Sequence, residues 1–375
     1  MTNSLIAKKE KDDFFNFQHH LCEELSMLKR YSSSIDFLKE QNKKVVDDFF
    51  YSNLYMLYQS TFNKNISSTI REDIKYMWDN IKLYHYTDSP SLERIIINKT
   101  LKLHSVLKMN DSGEGQALII NILKDLMNEE YCKDKSFNLD DIFAGLSFGN
   151  KAKDLLKIVF SFSFTTLKDD ASQWARYGRP KEYSTSENEE PTEIQKNPCG
   201  ICLEVPMKNL LKLVETIYDD FDLAVITPIW YMPNNDIDNT FLKFIKSIIN
   251  LRLKEENSSE FTKYVTHYSS NIKHESFKKE YEVRLLLSLK HKDNVTNMVV
   301  DDAPNYVEFN AKDQYIYLKL AEKLQNFKLT DLFSSITFGP GTSAEAESSV
   351  EDLLSKHNLT TLLHADSKHS KCTLR

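Results

Sequence analysis

Glycine and proline are scarce, eight and nine residues in a chain of 375, and neither occurs before Pro90. Both residues punctuate turns and interrupt helices. Their absence from the N-terminal stretch excludes a start rich in strands and tight turns, and it suits a set of helices. Cysteine is scarce too: Cys22, Cys132, Cys199, Cys202 and Cys372 are scattered and odd in number, which does not suit a disulfide framework. No basic stretch leads into an apolar run and a small-residue cleavage site near Met1, and no apolar run approaches the roughly 20 residues of a membrane span. The expectation is a cytoplasmic protein with no membrane partner.

A basic stripe is missing as well. The formal net charge is -7, and the lysines are dispersed among acids, as in Lys278-Lys279-Glu280. That balance argues against nonspecific binding to nucleic-acid phosphates. Cys199-Gly200-Ile201-Cys202 has CxxC spacing, but no second cysteine or histidine pair follows at zinc-site distance. Buried strand thiols are expected there, and no metal is assigned. No segment repeats at a fixed period.

Residues 1–80 carry a helical signature. Phe14, Phe17, Leu21, Leu25 and Leu28 recur at three- and four-residue spacing, as do Val46, Phe50, Leu54 and Leu57. This stretch reads as an N-terminal helical module whose aromatic face packs internally or receives a regulator or partner. From residue 81 to 375 the pattern becomes an α+β domain. Strands are expected at Leu83–Thr87, Leu101–Val106, Lys157–Thr165, 200–205, 224–231, 280–289, near Val307 and ending at Phe338, with a short one at Leu359–Leu363. Helices are expected from the Asp88/Ser89 cap through Ile96, near Gly115–Glu130, Leu139–Leu156 and Ile237–Glu255, over part of 259–275, and from Ala344 to Lys356. Lys181–Asn197, polar and aperiodic, reads as a long loop.

Two strands carry candidate chemistry. Strand side chains alternate, so Phe160, Phe162 and Phe164 share one face of their strand while Ser161, Ser163 and Thr165 share the other. Small hydroxyls on a sheet face either admit a ligand closely or meet solvent. In Glu280-Tyr281-Glu282-Val283-Arg284-Leu285, the charges fall on one face and the apolar side chains on the other. That face is either an ordinary solvated one or the wall of a polar cleft.

The order of short motifs is more specific than any one of them. His85-Tyr86-Thr87, Met109-Asn110-Asp111 with Glu114, Ser161-Phe162-Ser163, Trp174-Ala175-Arg176-Tyr177, Glu280-x-Glu282-x-Arg284 and Ile336 to Pro340 follow in turn. This succession resembles a widespread bacterial family catalogued only as a domain of unknown function, over about residues 83 to 375. The same order is similar to that of the ADP-ribosyltransferase fold, a mixed or antiparallel β core with surrounding helices.

The resemblance implies an NAD-dependent ADP-ribosyltransferase, a toxin or antiphage defence effector that modifies a protein or nucleic-acid acceptor. NAD would be its substrate. Glu282 would match the catalytic glutamate and Glu280 the acid that activates the acceptor. His85, Tyr86, Ser161, Ser163 and Arg284 would lie against NAD, and Trp174 and Tyr177 would stack on a base or nicotinamide or else pack under the sheet. Cleaving the nicotinamide–ribose bond passes through an oxocarbenium-like state, which one well-placed carboxylate can stabilise. The alternatives are a noncatalytic module that binds a nucleotide or a partner, and an NAD glycohydrolase in which water is the acceptor.

Overall fold

A computed structural model describes residues 81–106, 159–178, 191–232, 270, 272–290, 303–310, 314–324, 326–364 and 368–372. The helical module over residues 1–80, the motif at Met109 to Glu114, and the helices expected near 115–130, 139–156 and 237–255 lie outside the described residues. What is described is a mixed α/β fold with an antiparallel sheet.

The domain opens with β1 (Lys82–Asp88), α1 (Ser89–Asn98) and β2 (Thr100–Ser105). Local chemistry sets these boundaries. Asp88 accepts the Ser91 N–H at 2.9 Å as N-cap, Pro90 sits in the first turn, and Lys99 ends the helix in the left-handed region at φ 50°. β3 (Val159–Thr165), α2 (Ala171–Tyr177), α3 (Glu193–Lys196) and β4 (Gly200–Pro206) follow. Next come α4 (Met207–Ile217), β5 (Phe221–Pro228), β6 (Trp230–Met232) and β7 (Ile272–His274). A 3₁₀ helix (Glu275–Glu280) leads into β8 (Glu282–Leu289), and β9 (Val307–Asn310), β10 (Tyr315–Lys319) and α5 (Leu320–Lys323) come after it. β11 (Ser335–Phe338) and α6 (Ala344–Lys356) complete the order.

Nine strands form one sheet in the order β11-β4-β1-β3-β2-β10-β9, with β8 on β3 and β5 on β8. All of its pairings are antiparallel. β3 is the fork. One of its edges pairs with β8 along its whole length, from Val159↔Ser288 to Thr165↔Glu282. The other edge is shared: β1 meets it at Tyr84↔Thr165, and β2 meets it at His104↔Ser161 and Ser105↔Phe160. Between those contacts the two arms of the sheet diverge.

The alternation expected for β3 is present. Phe160, Phe162 and Phe164 join Leu83, Leu103, Leu203, Leu285, Leu287 and Phe338 in the main core, under α1, α4 and α6. The opposite face carries a smaller cluster of Tyr84, Tyr86, Trp174 and Cys202, with Cys372 packed against it. Cys199 belongs to the main core and Cys202 to the smaller cluster. The two thiols of the CxxC spacing therefore serve opposite sides of the sheet, and burial raises the pKa of both.

Several expectations are corrected. Glu280 ends a 3₁₀ helix, and β8 begins only at Glu282, because Tyr281 between them turns the chain through the left-handed region at φ 46°. Strand β7 (Ile272–His274), which was not expected, lies at the end of the stretch 259–275, and residues 259–269 lie outside the described residues. Leu359–Leu363 is a 3₁₀ turn (Thr360–Leu362) rather than a strand. Within the expected loop at 181–197, Thr192 and Gln195 form a capping box that nucleates α3.

Trp174 is the anchor of the smaller cluster and is 1 % exposed. Three of the scarce glycines surround its ring. A Cβ on Gly178 would lie 2.4 Å from Trp174 Cε3, one on Gly339 would lie 3.0 Å from Trp174 Cζ3, and one on Gly200 would lie 2.2 Å from the Gly178 carbonyl oxygen. The last contact is with backbone and cannot be relieved by a rotamer change. Gly200→Ala is therefore expected to destabilise the protein by about 1–3 kcal/mol through forced backbone movement, read as a lower midpoint in urea unfolding. An unchanged midpoint would show that the cradle is not tight.

Candidate functional site

β3 and β8 deliver the candidate side chains. Directly paired residues of an antiparallel ladder share a face, so Thr165↔Glu282 and Ser163↔Arg284 place Glu282, Arg284 and Ser163 together. The reading of the Glu-x-Glu-x-Arg face as an ordinary solvated one does not survive. Glu280, Glu282 and Arg284 are all buried, at 5, 5 and 4 % exposure.

Buried charges require partners, and each carboxylate oxygen has one. Glu282 Oε1 accepts the Ser163 hydroxyl at 2.6 Å and Arg284 Nε at 2.7 Å. Its Oε2 meets Arg284 Nη2 at 3.2 Å and Lys273 Nζ at 2.7 Å. Glu280 Oε2 takes the same Lys273 ammonium at 2.9 Å, and its Oε1 accepts Arg176 Nη1 at 2.5 Å and the Tyr177 hydroxyl at 3.0 Å. Lys273, 3 % exposed on β7, thus bridges the two glutamates. Arg284 Nη1 donates to the Ser270 carbonyl at 2.6 Å, and the Glu282 N–H donates to the Tyr231 hydroxyl at 2.8 Å.

Burial by itself would raise the Glu282 pKa. The charges of Arg284 and Lys273 and their hydrogen bonds outweigh it, and the carboxyl is held down at about 2. Glu282 is an anion across the physiological range. It can stabilise a positive charge but cannot serve as a proton donor. Burial and the neighbouring Glu280 push the Tyr177 phenol up to about 12, so it stays a donor.

The remaining expected residues divide between the two faces of β3. Tyr86 and Trp174 lie on the glutamate side as framework. The Tyr86 hydroxyl donates to the Leu167 carbonyl and accepts the Asp170 N–H, both at 3.0 Å. Trp174 Nε1 donates to Asp169 Oδ1 at 2.8 Å. Trp174 packs rather than stacks on a ligand, whereas Tyr177 is 45 % exposed. Ser161 is buried on the same face, and its hydroxyl has no hydrogen-bond partner among the described residues.

His85 is not brought to Glu282. Its ring stacks on Phe162 with centroids 4.2 Å apart and meets Phe164 edge-on. Those are the alternate residues of β3, so His85 lies on the far side of the strand from the Ser163 hydroxyl. It reaches the site only through the backbone, with Nδ1 2.9 Å from the Ser163 carbonyl oxygen in the stretch of β3 edge that β1 and β2 leave open. A carbonyl only accepts, so Nδ1 carries the proton. Burial lowers the His85 pKa to about 4. At neutral pH Nε2 is consequently an acceptor, unsuited to bonding a phosphate.

Sequence reasoning missed Lys273, on a three-residue strand that it did not expect, and the Tyr231 hydroxyl. Arg176 stood inside a quoted motif without a role. Asp169 is a further unanticipated hub. Burial opposes its charge, yet hydrogen bonds from Ser370, Trp174 and the Lys371 N–H hold its carboxyl below the usual range. Residues 368–372 are threaded through it and through Phe338, whose N–H donates to the Lys368 carbonyl at 2.8 Å. Among the described residues no group of three or more potential metal ligands converges, and no helix is long and apolar enough to cross a membrane. Neither a scan against protein-family models nor searches of curated proteins and solved structures return a match to this chain.

Two expectations follow from the geometry. Lys273→Met leaves two buried carboxylates undercompensated and is expected to cost about 3–5 kcal/mol at pH 7. The Glu282 contribution in the wild type is present above about pH 4.5 and lost as pH falls towards about 2. The deficit of the variant should therefore shrink in acid, measured as urea midpoints at pH 7 and pH 4; an equal deficit at both would exclude the charge argument. For His85 the folded pKa lies below the unfolded value of 6.5, so its contribution is full above 6.5 and lost as pH falls to about 4. His85→Asn should flatten the stability profile over that window, and an unaltered slope would refute the neutral, half-buried imidazole.

Proposed function

We propose that the protein is an NAD-dependent ADP-ribosyltransferase on an ADP-ribosyltransferase-like β core, with Glu282 as its reacting carboxylate. The observation that carries this reading is the 2.6 Å hydrogen bond from Ser163 to Glu282. It joins two of the motifs whose order prompted the resemblance, and it orients an obligately ionised carboxylate. In this reading the C1′–nicotinamide bond breaks, nicotinamide leaves as a neutral base, and Glu282 stabilises the ribosyl cation. Arg284 and Lys273 hold Glu282 rather than NAD. Glu280, with Arg176 and Tyr177 at its outer side, faces the acceptor and takes its proton. The acceptor is a protein or nucleic-acid group, and the toxin or antiphage role expected from the resemblance is part of the proposal. His85 buttresses Ser163 from behind in place of contacting NAD.

One observation favours a second reading. All four oxygens of Glu280 and Glu282 already have protein partners, the arrangement of a structural ion network in a noncatalytic nucleotide- or partner-binding module. Nicotinamide release separates the two. Purified protein given NAD labelled in the adenylate half, with and without cell lysate, is expected to release nicotinamide and to label a macromolecule. Ser163→Ala removes one hydrogen bond, costs about 1 kcal/mol of stability, and should lower kcat at least tenfold with the fold retained. Glu282→Gln should abolish release. Free ADP-ribose with no labelled macromolecule would make the protein a glycohydrolase, and no release from well-folded wild type would establish the noncatalytic module.

A further inference from the structure

Ser161 poses a physical problem that the proposed chemistry does not use. Its side chain is 3 % exposed, and its hydroxyl is the buried side-chain polar atom left without a hydrogen-bond partner among the described residues. Such a group costs stability unless a water or a bound molecule satisfies it.

The register shows where that partner could lie. Ser161 pairs with Leu286 on β8 and with His104 on β2, His104 pairs with Tyr315 on β10, and Tyr315 pairs with Asn310 on β9. Direct pairs share a face, so these side chains form one row across the sheet, on the Glu282 side of β3. One step along the strands, Lys102 pairs with Tyr317. The row runs from cover into the open: Ser161 is buried, Tyr315 and Lys102 are half-buried, and His104 is exposed.

Its chemistry changes along its length. At the β10 end is an aromatic platform. Tyr315 packs edge-on to Tyr317 with centroids 5.1 Å apart, and the Asn310 amide holds its hydroxyl at 2.9 Å. On β2 come two basic groups: Lys102 Nζ lies 3.9 Å above the Tyr315 ring, and His104 meets the same ring edge-on at 6.4 Å. On β3 are the hydroxyls of Ser161 and Ser163, and on β8 is Glu282. Strands lie about 4.8 Å apart, so Tyr315 is roughly 10 Å from the β3 hydroxyls. An aromatic face, a cationic middle and a hydroxyl-lined end match a base, a diphosphate and a ribose in that order.

We infer that the row Tyr315, Lys102, His104 and Ser161 is a binding subsite for the adenosine diphosphate half of a dinucleotide. The adenine stacks on Tyr315, displacing the Lys102 ammonium from the ring to a phosphate. His104 faces the diphosphate, and the Ser161 hydroxyl gains its missing bond from a phosphate or ribose oxygen. The inference rests on the NAD reading of Glu282 and adds to it which strands carry the remainder of the molecule.

ADP lacks nicotinamide and its ribose, so its binding to the full chain reads this row without any bond being cleaved. Calorimetric titration with ADP is expected to show saturable binding. Tyr315→Ala should weaken it about tenfold or more, and Ser161→Ala and Lys102→Ala should each weaken it several-fold. Lys102 is half-buried on the open face, so its variant keeps the test available if Tyr315→Ala does not fold. Absence of ADP binding, or binding that none of the folded variants alters, overturns the subsite. If NAD is nonetheless cleaved in a Glu282-dependent way, the transferase reading stands and the subsite alone falls. ADP binding that depends on Tyr315 without NAD cleavage supports the subsite and removes the transferase.

Discussion

Two glutamates close together, under a sheet and out of water, repel each other and lose their hydration. One buried ammonium resolves the conflict. Lys273 takes an oxygen of each, at 2.9 and 2.7 Å, and sets one positive charge between the two acids. Much of the neighbouring architecture follows from supplying that cation. β7 exists beside β6 as a two-stranded parallel ribbon, Trp230↔Ile272 to Met232↔His274, with Lys273 at its centre. The left-handed turn at Tyr281 lets Glu280 leave the strand direction while its carboxylate still reaches the same ammonium.

The second organising constraint is the fork at β3. A strand with two different neighbours on one edge must leave part of that edge unpaired, and unpaired backbone carbonyls in a core are costly. His85 answers at Ser163 by donating from its ring while stacking on Phe162. Thr165 shows the same economy nearby, with its hydroxyl donating to the Glu280 carbonyl at 2.7 Å and accepting the Leu167 N–H at 3.1 Å. The backbone beneath the candidate site is thus tied by side chains where the ladder gives out.

How much of this was legible beforehand depended on the range of the interaction. Helix α6 was expected at Ala344 to Lys356 and lies there, because capping and periodicity are local and Ser343 accepts the Ala346 N–H. The alternation of β3 was legible for the same reason, whereas the meeting of Ser163 with Glu282, 119 positions on, rested on the order of motifs alone. Lys273 was not, since a lysine gives no local sign that it will be buried against acids seven and nine positions on. The place of His85 was also hidden. Its neighbours Tyr84 and Tyr86 alternate with it, and only the pairing Tyr84↔Thr165 reveals that those tyrosines, not the histidine, face the glutamates. Strand β10 escaped notice because its half-buried and buried residues alternate over only five positions, Tyr315–Lys319.

Asp169 ties the loop before α2 to residues far along the chain, with Cys372 Sγ donating to its carbonyl across 203 positions. The helix that loop launches carries Arg176 and Tyr177, both seated on Glu280. A change at Ser370 or Cys372, far from both glutamates in sequence, is consequently transmitted to the outer side of Glu280 through the loop that Asp169 anchors.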